Sequence, residues 1–261
     1  MIKKIKSLII QISIFLKFDL RMIFLKKFSK KLYDDRREWL KQGGVIHYNY
    51  PIKRDFISEA GNAYGHYFHL DLITANHIFE ASPLRHIDIG SRIDGFVAHI
   101  ATFRKIEIMD IRDLKNANPH KNISFIKKDL MEDIMEDEKE ITDSLSCTHA
   151  LQHFGMGRYG DKIDTQGHIK GMCNMIKMLK LNGFFYLTLP IADNDYVHFN
   201  AHRVFKSDSV LNWEPVKSSL KLIRFDFIDD KFNVHLDKNI LSTNGLVKNW
   251  SAGIYTFKKI R

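Results

Sequence analysis

Cysteine and proline are both scarce in this 261-residue sequence, which contains two cysteines and five prolines. Cys147 and Cys173 cannot form the disulfide framework that holds many small secreted domains together, so a reducing, cytoplasmic compartment is expected. Long apolar runs are scarce too: the run over residues 8–16 is interrupted by Gln11 and Ser13 and is too short to span a bilayer. No small-residue cleavage site follows it, which argues against a signal peptide.

Net positive charge is almost absent from residues 32–261, although the formal net charge of the whole chain is +9. Residues 1–31 contain nine Lys or Arg and one acid, Asp19, and therefore carry +8 of that charge. Their apolar residues recur at steps of three and four, which predicts a basic amphipathic helix. Such a helix would dock on an anionic membrane surface or a partner, or else pack on its own domain or a second subunit. The nearly neutral remainder disfavours nucleic acid as a partner.

The rest of the chain is organised around residues 85–110, RHIDIGSRIDGFVAHIATFRKIEIMD. The pattern predicts a strand that ends in a turn at Gly90, then a helix, then a second strand with Asp110 at its carboxyl end. Gly90 would let the backbone approach a ligand, and the carboxylate of Asp110 could accept both hydroxyls of a ribose. The alternative is an ordinary strand–helix–strand unit without a ligand.

The G-x-G-x-x-G pattern of dinucleotide sites is missing from this turn. Arg92 and Asp94 stand where a pyrophosphate would need small residues, so an adenosyl ligand without a diphosphate fits better. Asp88, near the end of the first strand, adds a carboxylate that could neutralise an ammonium or a sulfonium.

Seven strands are predicted in all, with helices among the first five. The other strands are expected near residues 123–126, 143–147, 184–189, 220–228 and 253–260, with a helix at 168–179. Pro190 is expected to stop the strand at 184–189. This order predicts an α/β fold whose largely parallel sheet is covered on both faces.

Three segments make up the expected domain organisation: a basic extension (1–31), a helical cover (32–83) and a main domain (84–261). The cover contains a helix-like stretch with apolar Phe68 and Leu72 at helical spacing, and most of its aromatic residues are expected in the core. Tyr67 and His69 are candidates for touching a ligand.

The most unusual stretch is THALQHFGMGRYGD, residues 148–161, just after the fourth strand, where open α/β sheets bind ligands. His149 and His153 are four apart and would share one face of a helical turn. His149, nearest the strand end, is the preferred general base, with His153 as a relay or a structural residue. The segment after them offers three candidates for holding a substrate: Arg158, Tyr159 and Asp161.

A second polar cluster follows Pro190 and contains Asn200, His202 and Arg203, which are expected to face the same crevice. Arg203 could bind a phosphate or carboxylate through its two parallel N–H groups, or it could instead pair with Asp193. The two histidines after the fourth strand could also bind a metal. Without the glutamate of an H-E-x-x-H motif that pattern is weak, and no metal site is predicted.

These motifs resemble a known class of proteins. The strand order, the D-x-G turn and the acid that ends the second strand resemble class I S-adenosylmethionine-dependent methyltransferases, which have a Rossmann-like seven-stranded fold with an antiparallel last strand. HIDIGSRIDGFVAHI, IEIMDIR, DSLSCTHALQHFGMGRYGD and FNAHRVF are similar to DUF268, a bacterial family of unknown function, over about residues 61–205.

The resemblance implies S-adenosylmethionine as the cofactor. The residues implied are Gly90 and Ser91 at its methionine part, Arg92 at its carboxylate, Asp110 at its ribose, and Asp129 with Leu130 at its adenine. It also implies O-methylation of a sugar hydroxyl, best of a nucleotide-linked sugar such as GDP-heptose in capsule or lipopolysaccharide biosynthesis.

Two alternatives stay open. One is a metal-dependent methyltransferase in which His149, His153 or Asp161 holds a divalent ion. The other is a non-catalytic domain that binds an adenosyl ligand or a partner and docks to a membrane through residues 1–31.

Overall fold

The computed structural model describes residues 28–61, 63–115 and 120–261, and its contacts divide the chain into two units, 1–62 and 63–261. In the described part of the first unit, helix α1 covers Phe28–Lys41. The predicted amphipathic helix lies outside the described residues except for 28–31, which begin α1. No helix of the described residues is long and apolar enough to cross a membrane.

The second unit is built on a mixed sheet, to which the described residues contribute ten strands. They are β1 His86–Ile89, β2 Ile106–Asp110, β3 Ile123–Lys127, β4 Thr142–Thr148, β5 Leu179–Ala192, β6 Tyr196–His198, β7 His202–Lys206, β8 Leu220–Ile228, β9 Val234–His235 and β10 Ser251–Lys259. The main order is β3-β2-β1-β4-β5-β10-β8-β9, while β6 pairs with β7 and β7 also pairs with β5. Strands β1 to β5 are parallel, and β10 is antiparallel to both β5 and β8.

Helices pack on both faces of this sheet. They are α2 His66–Ala81, α3 Ala98–Ala101, α4 Gly167–Met178 and α5 Glu214–Ser219, with a single π-helical turn, Ile93–Val97, leading into α3. One core cluster joins α2 and the turn before α3 to the sheet through Ile78, Phe96 and Ile106. The other joins α4 and α5 to the opposite face through Met172 and Val216. Alternate residues of the parallel strands therefore face two separate hydrophobic layers.

The predicted fold class is confirmed: the sheet is largely parallel, covered on both faces, and the last strand is antiparallel. Three details of the prediction are wrong. The described residues form ten strands where seven were predicted, since β6, β7 and β9 were not expected. Pro190 does not stop β5, because it pairs with Ala252 of β10 and the strand continues to Ala192. Phe68 and Leu72 are exposed, although Ile78 of the same predicted helix is buried, since α2 turns the face with Leu70 and Ile78 toward the core. Residues 66–81, expected within a cover, pack as a layer of the second unit.

A chain of buried polar side chains crosses from β4 to β1 and explains why β4 is polar. The hydroxyls of Ser146 and Ser91 both donate to Oδ1 of Asp88, at 2.6 and 2.7 Å. Because the Ser146 proton is used there, its oxygen accepts from Nε2–H of His86 at 3.1 Å, and Nδ1 of that ring accepts from the Ser144 hydroxyl at 2.7 Å. Each of these polar groups is thereby paired inside the sheet.

A second buried carboxylate lies on α2. Asp71 is 5% exposed and stands so close to the turn before α3 that a Cβ on Gly95 would lie 2.8 Å from its Oδ2. Burial raises the pKa of Asp71 to about 7, and the nearby Arg92 guanidinium opposes the rise. In the folded protein the Asp71 carboxyl group therefore keeps its proton up to about pH 7.

Replacing Asp71 with Asn should remove part of the pH dependence of stability. An unfolded aspartate loses its proton near pH 3.9, whereas folded Asp71 keeps it up to a pKa of about 7. Folding therefore binds a proton between these values, and the wild-type free energy of unfolding falls as pH rises from 4 to 8. Urea unfolding at several pH values should show that the free energy of unfolding of D71N increases relative to that of the wild type as the pH rises from 4 to 8. Asp113→Asn is the control because its side chain is 67% exposed and its charge does not shift the pKa of Asp71. A difference between D71N and the wild type that does not grow with pH would contradict the assignment.

Candidate active site

One cavity of about 580 Å³ opens at the carboxyl ends of the parallel strands. Its walls come from the segments that follow β1, β2, β3 and β4, together with Pro190 of β5, Trp250 before β10 and Tyr67 of α2. This is the edge at which open α/β sheets bind ligands. The sequence-predicted residues that line it are Tyr67, Gly90, Arg92, Asp110, Asp129, Leu130, His149, His153, Arg158, Tyr159, Asp161 and His202.

Gly90 fits its place in the cavity wall for a reason that the structure makes explicit. Its φ is +69°, in the left-handed region, and a Cβ there would lie 2.9 Å from the Cβ of Ala150. A side chain would therefore be both strained and in collision with the segment after β4. The turn brings bare backbone to the middle of the cavity.

Asp110 ends β2 at the cavity and is bound by a residue that sequence reasoning missed. Arg112 donates from Nε to Oδ1 at 2.9 Å and from Nη2 to Oδ2 at 2.6 Å, and its backbone N–H also donates to Oδ1. This two-pronged pair fixes the plane of the carboxylate. The same guanidinium lies over the ring of Tyr159, 4.4 Å from its centroid, and so reaches the loop after β4.

Asp88 and Ser91 do not line the cavity, although the sequence assigned both to a ligand. Asp88 is completely buried and accepts from Ser91 and Ser146. The Ser91 oxygen in turn accepts from the hydroxyl and the N–H of Thr148, at 2.6 and 3.1 Å. These contacts tie the turn after β1 to the end of β4, so the expectation that Asp88 neutralises a ligand cation is wrong. Burial raises the pKa of Asp88 to about 6.

His149 and His153 do not share a helical face. His149 has a left-handed φ of 50° and precedes a single 3-10 turn, Leu151–His153. Its backbone N–H donates to the hydroxyl oxygen of Thr188, and the same oxygen lies 2.8 Å from the His149 Nδ1. Donation by the threonine hydroxyl to Nδ1 would use that proton and leave the hydrogen of the ring on Nε2.

The His149 Nε2 atom is buried and has no hydrogen-bond partner among the described residues. Burial lowers the pKa of His149 to about 3, with the neighbouring His66 adding to the effect. The ring is therefore neutral at physiological pH, and it carries its hydrogen on the buried Nε2 when Thr188 donates to Nδ1. The expectation that His149 has the basicity of an ordinary imidazole is wrong.

His153 has the opposite arrangement. Its Nδ1 lies 2.7 Å from the carbonyl oxygen of Ala201, which can only accept, so Nδ1 carries the hydrogen and Nε2 keeps a lone pair. Burial, together with the Arg158 cation, lowers the pKa of His153 to about 4. Arg158 donates to the same Ala201 carbonyl at 2.8 Å. Of the two histidines, His153 is therefore the one whose Nε2 has a lone pair that can accept a proton. The Gln152 amide nitrogen lies 3.4 Å from that Nε2 and is its weak donor in this structure.

The loop after His153 is stiffened by its own residues. Asp161 accepts from the N–H groups of Gly157 and Tyr159, both at 3.1 Å, so its carboxylate caps the loop. The guanidinium groups of Arg112 and Arg158 both lie over the Tyr159 ring, and this ring makes an edge contact with His153. The segment is thus packed by its own residues and by Arg112. No carboxylate of the described residues forms an ion pair with Arg158.

Arg203 does not face the crevice, and it does not pair with Asp193. It is 8% exposed and donates to the carbonyl oxygens of Phe154, at 2.6 Å, and of Gln152, Asp164 and Thr165, each at 3.4 Å. A guanidinium of β7 thus holds two loops by their backbones. Asn200 does not line the cavity either, while His202 does and stacks on His198.

Among residues 28–61, 63–115 and 120–261, no three His, Cys, Asp or Glu side chains lie together as a possible metal site. Sequence reasoning also missed several other residues that line the cavity. They are Arg112, Lys128, Gln152, Phe154, Pro190 and Trp250. Arg112 could have been found from its position two residues after the acid of β2, whereas no pattern connects Trp250 with the other residues.

A family comparison decides where the chain belongs. The family described as "Caenorhabditis protein of unknown function, DUF268" matches residues 96–240, more than half of the chain. The chain belongs to the DUF268 family. That description names Caenorhabditis and no function, so the bacterial surface-sugar role expected from the sequence stays a prediction. No curated protein matches the chain.

Solved structures place this DUF268 protein in a known fold. It resembles the [4+2]-cyclase SpnF (TM-score 0.54, 11% identity, 88% of this chain and 95% of that one). It also resembles the 1,6-didemethyltoxoflavin-N1-methyltransferase of Burkholderia thailandensis (0.53, 11%, 90% and 90%), solved with S-adenosylhomocysteine. NodS, an N-methyltransferase of Bradyrhizobium japonicum also solved with S-adenosylhomocysteine, matches at 0.50 (12%, 75% and 88%). At such identities the likeness establishes the Rossmann-like methyltransferase fold.

Replacing Arg203 with Met should destabilise this DUF268 protein by about 3 kcal/mol, because several buried carbonyl oxygens would lose their donor. Urea unfolding would measure the change, and hydrogen exchange should rise at residues 151–165. Arg92→Met is the matched control: Arg92 is half-exposed and pairs at 3.3 Å with Asp94, so its loss should cost less than about 0.5 kcal/mol. Equal effects of the two substitutions would contradict the role of Arg203.

Proposed function

We propose that this protein is an S-adenosylmethionine-dependent methyltransferase. The observation that carries the proposal is the pairing, in one cavity, of a bare glycine turn after β1 with a carboxylate at the end of β2. The fold alone is insufficient support, since SpnF shares it and is a [4+2]-cyclase. The proposal therefore depends on the site.

The residues of the cavity fit an adenosyl ligand. The space beside Gly90 is one that a Cβ would fill, so backbone and ligand can approach closely there. Arg112 fills both lone pairs of Oδ1 and one of Oδ2, so Asp110 keeps one unused lone pair, on Oδ2, for a ribose hydroxyl. Asp129 accepts from the N–H of Met131 at 2.8 Å, which sets the segment around buried Leu130 at the edge where the adenine would lie.

The bound cofactor would supply an already activated methyl group on a sulfonium. What the protein must add is alignment of the acceptor, where holding two reactants in place is worth several kcal/mol. We place the acceptor beside the segment after β4, where His149, His153 and Arg158 line the cavity. Arg158, with no acidic partner among the described residues, suits a phosphate or carboxylate of that acceptor.

The acceptor that we propose is a sugar hydroxyl, best carried on a nucleotide-linked sugar of capsule or lipopolysaccharide biosynthesis. His153 Nε2 would take the hydroxyl proton, because the Ala201 carbonyl fixes the other ring hydrogen on Nδ1. The Nε2–H of His149 would donate a hydrogen bond to the acceptor, which gives its buried and unpartnered nitrogen a role. These roles reverse the assignment made from the sequence, and the contacts of the two rings support the reversal.

Replacing Asp110 with Asn should weaken binding of S-adenosylhomocysteine by roughly 10- to 100-fold, because the ribose loses a charged acceptor. Isothermal titration calorimetry would measure this. Asp113→Asn is the control, since its side chain is 67% exposed and its loss should change the Kd less than about twofold. Arg112→Met separates two explanations: if Asp110 served only to anchor Arg112, both substitutions would weaken binding equally, and the ribose assignment would fail.

Replacing His153 with Gln should lower methyl transfer by about 100-fold or more while the Kd for S-adenosylhomocysteine stays unchanged. S-adenosylhomocysteine release with a panel of GDP- and UDP-linked sugars would be the assay. His149→Gln keeps an N–H donor and should retain activity within about tenfold.

The same base makes a prediction about pH. Since the pKa of His153 is lowered to about 4, the ring is already unprotonated at pH 6, and kcat should stay level from pH 6 to 9. A fall in kcat with an apparent pKa near 6.5, or a fully active His153→Gln variant, would remove His153 as the base.

A further inference from the structure

The cavity extends beyond the part that the proposed cofactor-binding residues line. Its lining extends from Asp129, after β3, to Trp250, before β10. The sheet order between them is β3-β2-β1-β4-β5-β10, so five strand spacings separate the two ends, roughly 24 Å. The adenosyl features, Gly90, Asp110 and Asp129, all belong to the β3-β2-β1 end. The β4-β5-β10 end is therefore free for another ligand.

Trp250 is the large side chain at that free end, and it is 67% exposed although it lines the cavity. Its backbone is nevertheless held. The N–H of Trp250 and the hydroxyl of Ser251 both donate to Oδ1 of Asp230, and the Lys248 N–H donates to Oδ2. From the other side the Tyr196 hydroxyl donates to the Asn249 carbonyl at 3.0 Å. The backbone thus keeps a tryptophan at the cavity mouth in a defined place.

Other groups at the mouth suit the same kind of ligand. Tyr67 lines the cavity while 44% exposed, and its ring meets the edge of His149. The buried ring of His66, which does not line the cavity, has its centroid 6.2 Å from that of Trp250. Arg158, in the loop after β4, contributes a cation on the same side of β1 as Trp250. The free end therefore offers the aromatic face of Trp250, the N–H group of His149 and the positive charge of Arg158.

We propose that Trp250 is the stacking platform for a ring of the methyl acceptor, a nucleobase or a sugar ring joined to a phosphate that Arg158 binds. Either ring has an apolar face that a tryptophan can cover, and base–aromatic stacking is the stronger case. This inference rests on the proposed function in one respect: the ligand is called the methyl acceptor. Stacking of the ligand on Trp250 does not itself require methyl transfer.

Tryptophan fluorescence tests this directly. The chain has three tryptophans, so Trp39→Phe combined with Trp213→Phe leaves Trp250 as the only emitter. The probes are GDP and UDP for a nucleobase, and mannose 1-phosphate for a sugar ring. Saturable quenching by a nucleotide supports stacking of a base, and saturable quenching by the sugar phosphate alone supports stacking of the sugar. No saturable change with any probe would overturn the proposal.

Calorimetry on substituted full-length protein gives the second arm. Trp250→Ala should weaken binding of the probe that quenches Trp250 fluorescence by about tenfold. Trp250→Phe should change the Kd of that probe less than about threefold, because an aromatic ring remains. The Kd for S-adenosylhomocysteine should be the same in the wild type and in both variants. Trp39→Ala, 57% exposed in the first unit, is the matched control and should change nothing. If Trp250→Ala binds the probe like the wild type, or weakens S-adenosylhomocysteine as much as the probe, the proposal fails. If the protein binds the probe but does not bind S-adenosylhomocysteine, the proposed function is contradicted while the stacking site is still supported.

Discussion

The site depends on one buried carboxylate. Asp88 accepts from Ser146 on β4 and from both the hydroxyl and the N–H of Ser91 in the turn after β1. Through Ser91 it also reaches Thr148, at the end of β4. A carboxylate in an apolar sheet is costly unless it is fully hydrogen-bonded, and here its donors come from the turn after β1 and from β4, whose neighbouring residues form the cavity floor. The position of the glycine turn relative to His149 follows from this network.

Arg112 and Tyr159 connect the two halves of the cavity above that floor. The guanidinium holds Asp110 on the cofactor side and lies over a ring from the loop after β4. That loop is itself fixed by Asp161 and by Arg203, whose Nη1 and Nη2 groups donate to backbone carbonyls. The side chains of Arg112 and Arg203 therefore hold parts of the protein together. A count of arginines near the site consequently overstates how many of them could bind a phosphate.

Periodicity was enough to predict seven of the ten described strands, because strands buried on both faces and a strand–glycine–helix unit leave local patterns, whereas the short β6, β7 and β9 do not. It also located the residues around the cavity, since they follow strand ends. What it could not predict was the direction of each polar side chain. Asp88 and Arg203 stand within two residues of cavity positions yet point into the protein. Trp250 reaches the mouth through a long-range fold contact with Asp230, which no local pattern records.

The two histidines show the same limit at the level of chemistry. Sequence proximity to the strand end favoured His149, and an ordinary imidazole pKa made either ring a reasonable base. In the fold, the partner of each Nδ1 decides the matter: a hydroxyl that is already accepting stands beside His149, and a carbonyl that can only accept stands beside His153. The first arrangement favours a hydrogen on Nε2 of His149, and the second requires a lone pair on Nε2 of His153, where the Gln152 amide nitrogen lies 3.4 Å away. Proton acceptance in this site is thus determined by backbone and threonine partners that lie outside the motif itself.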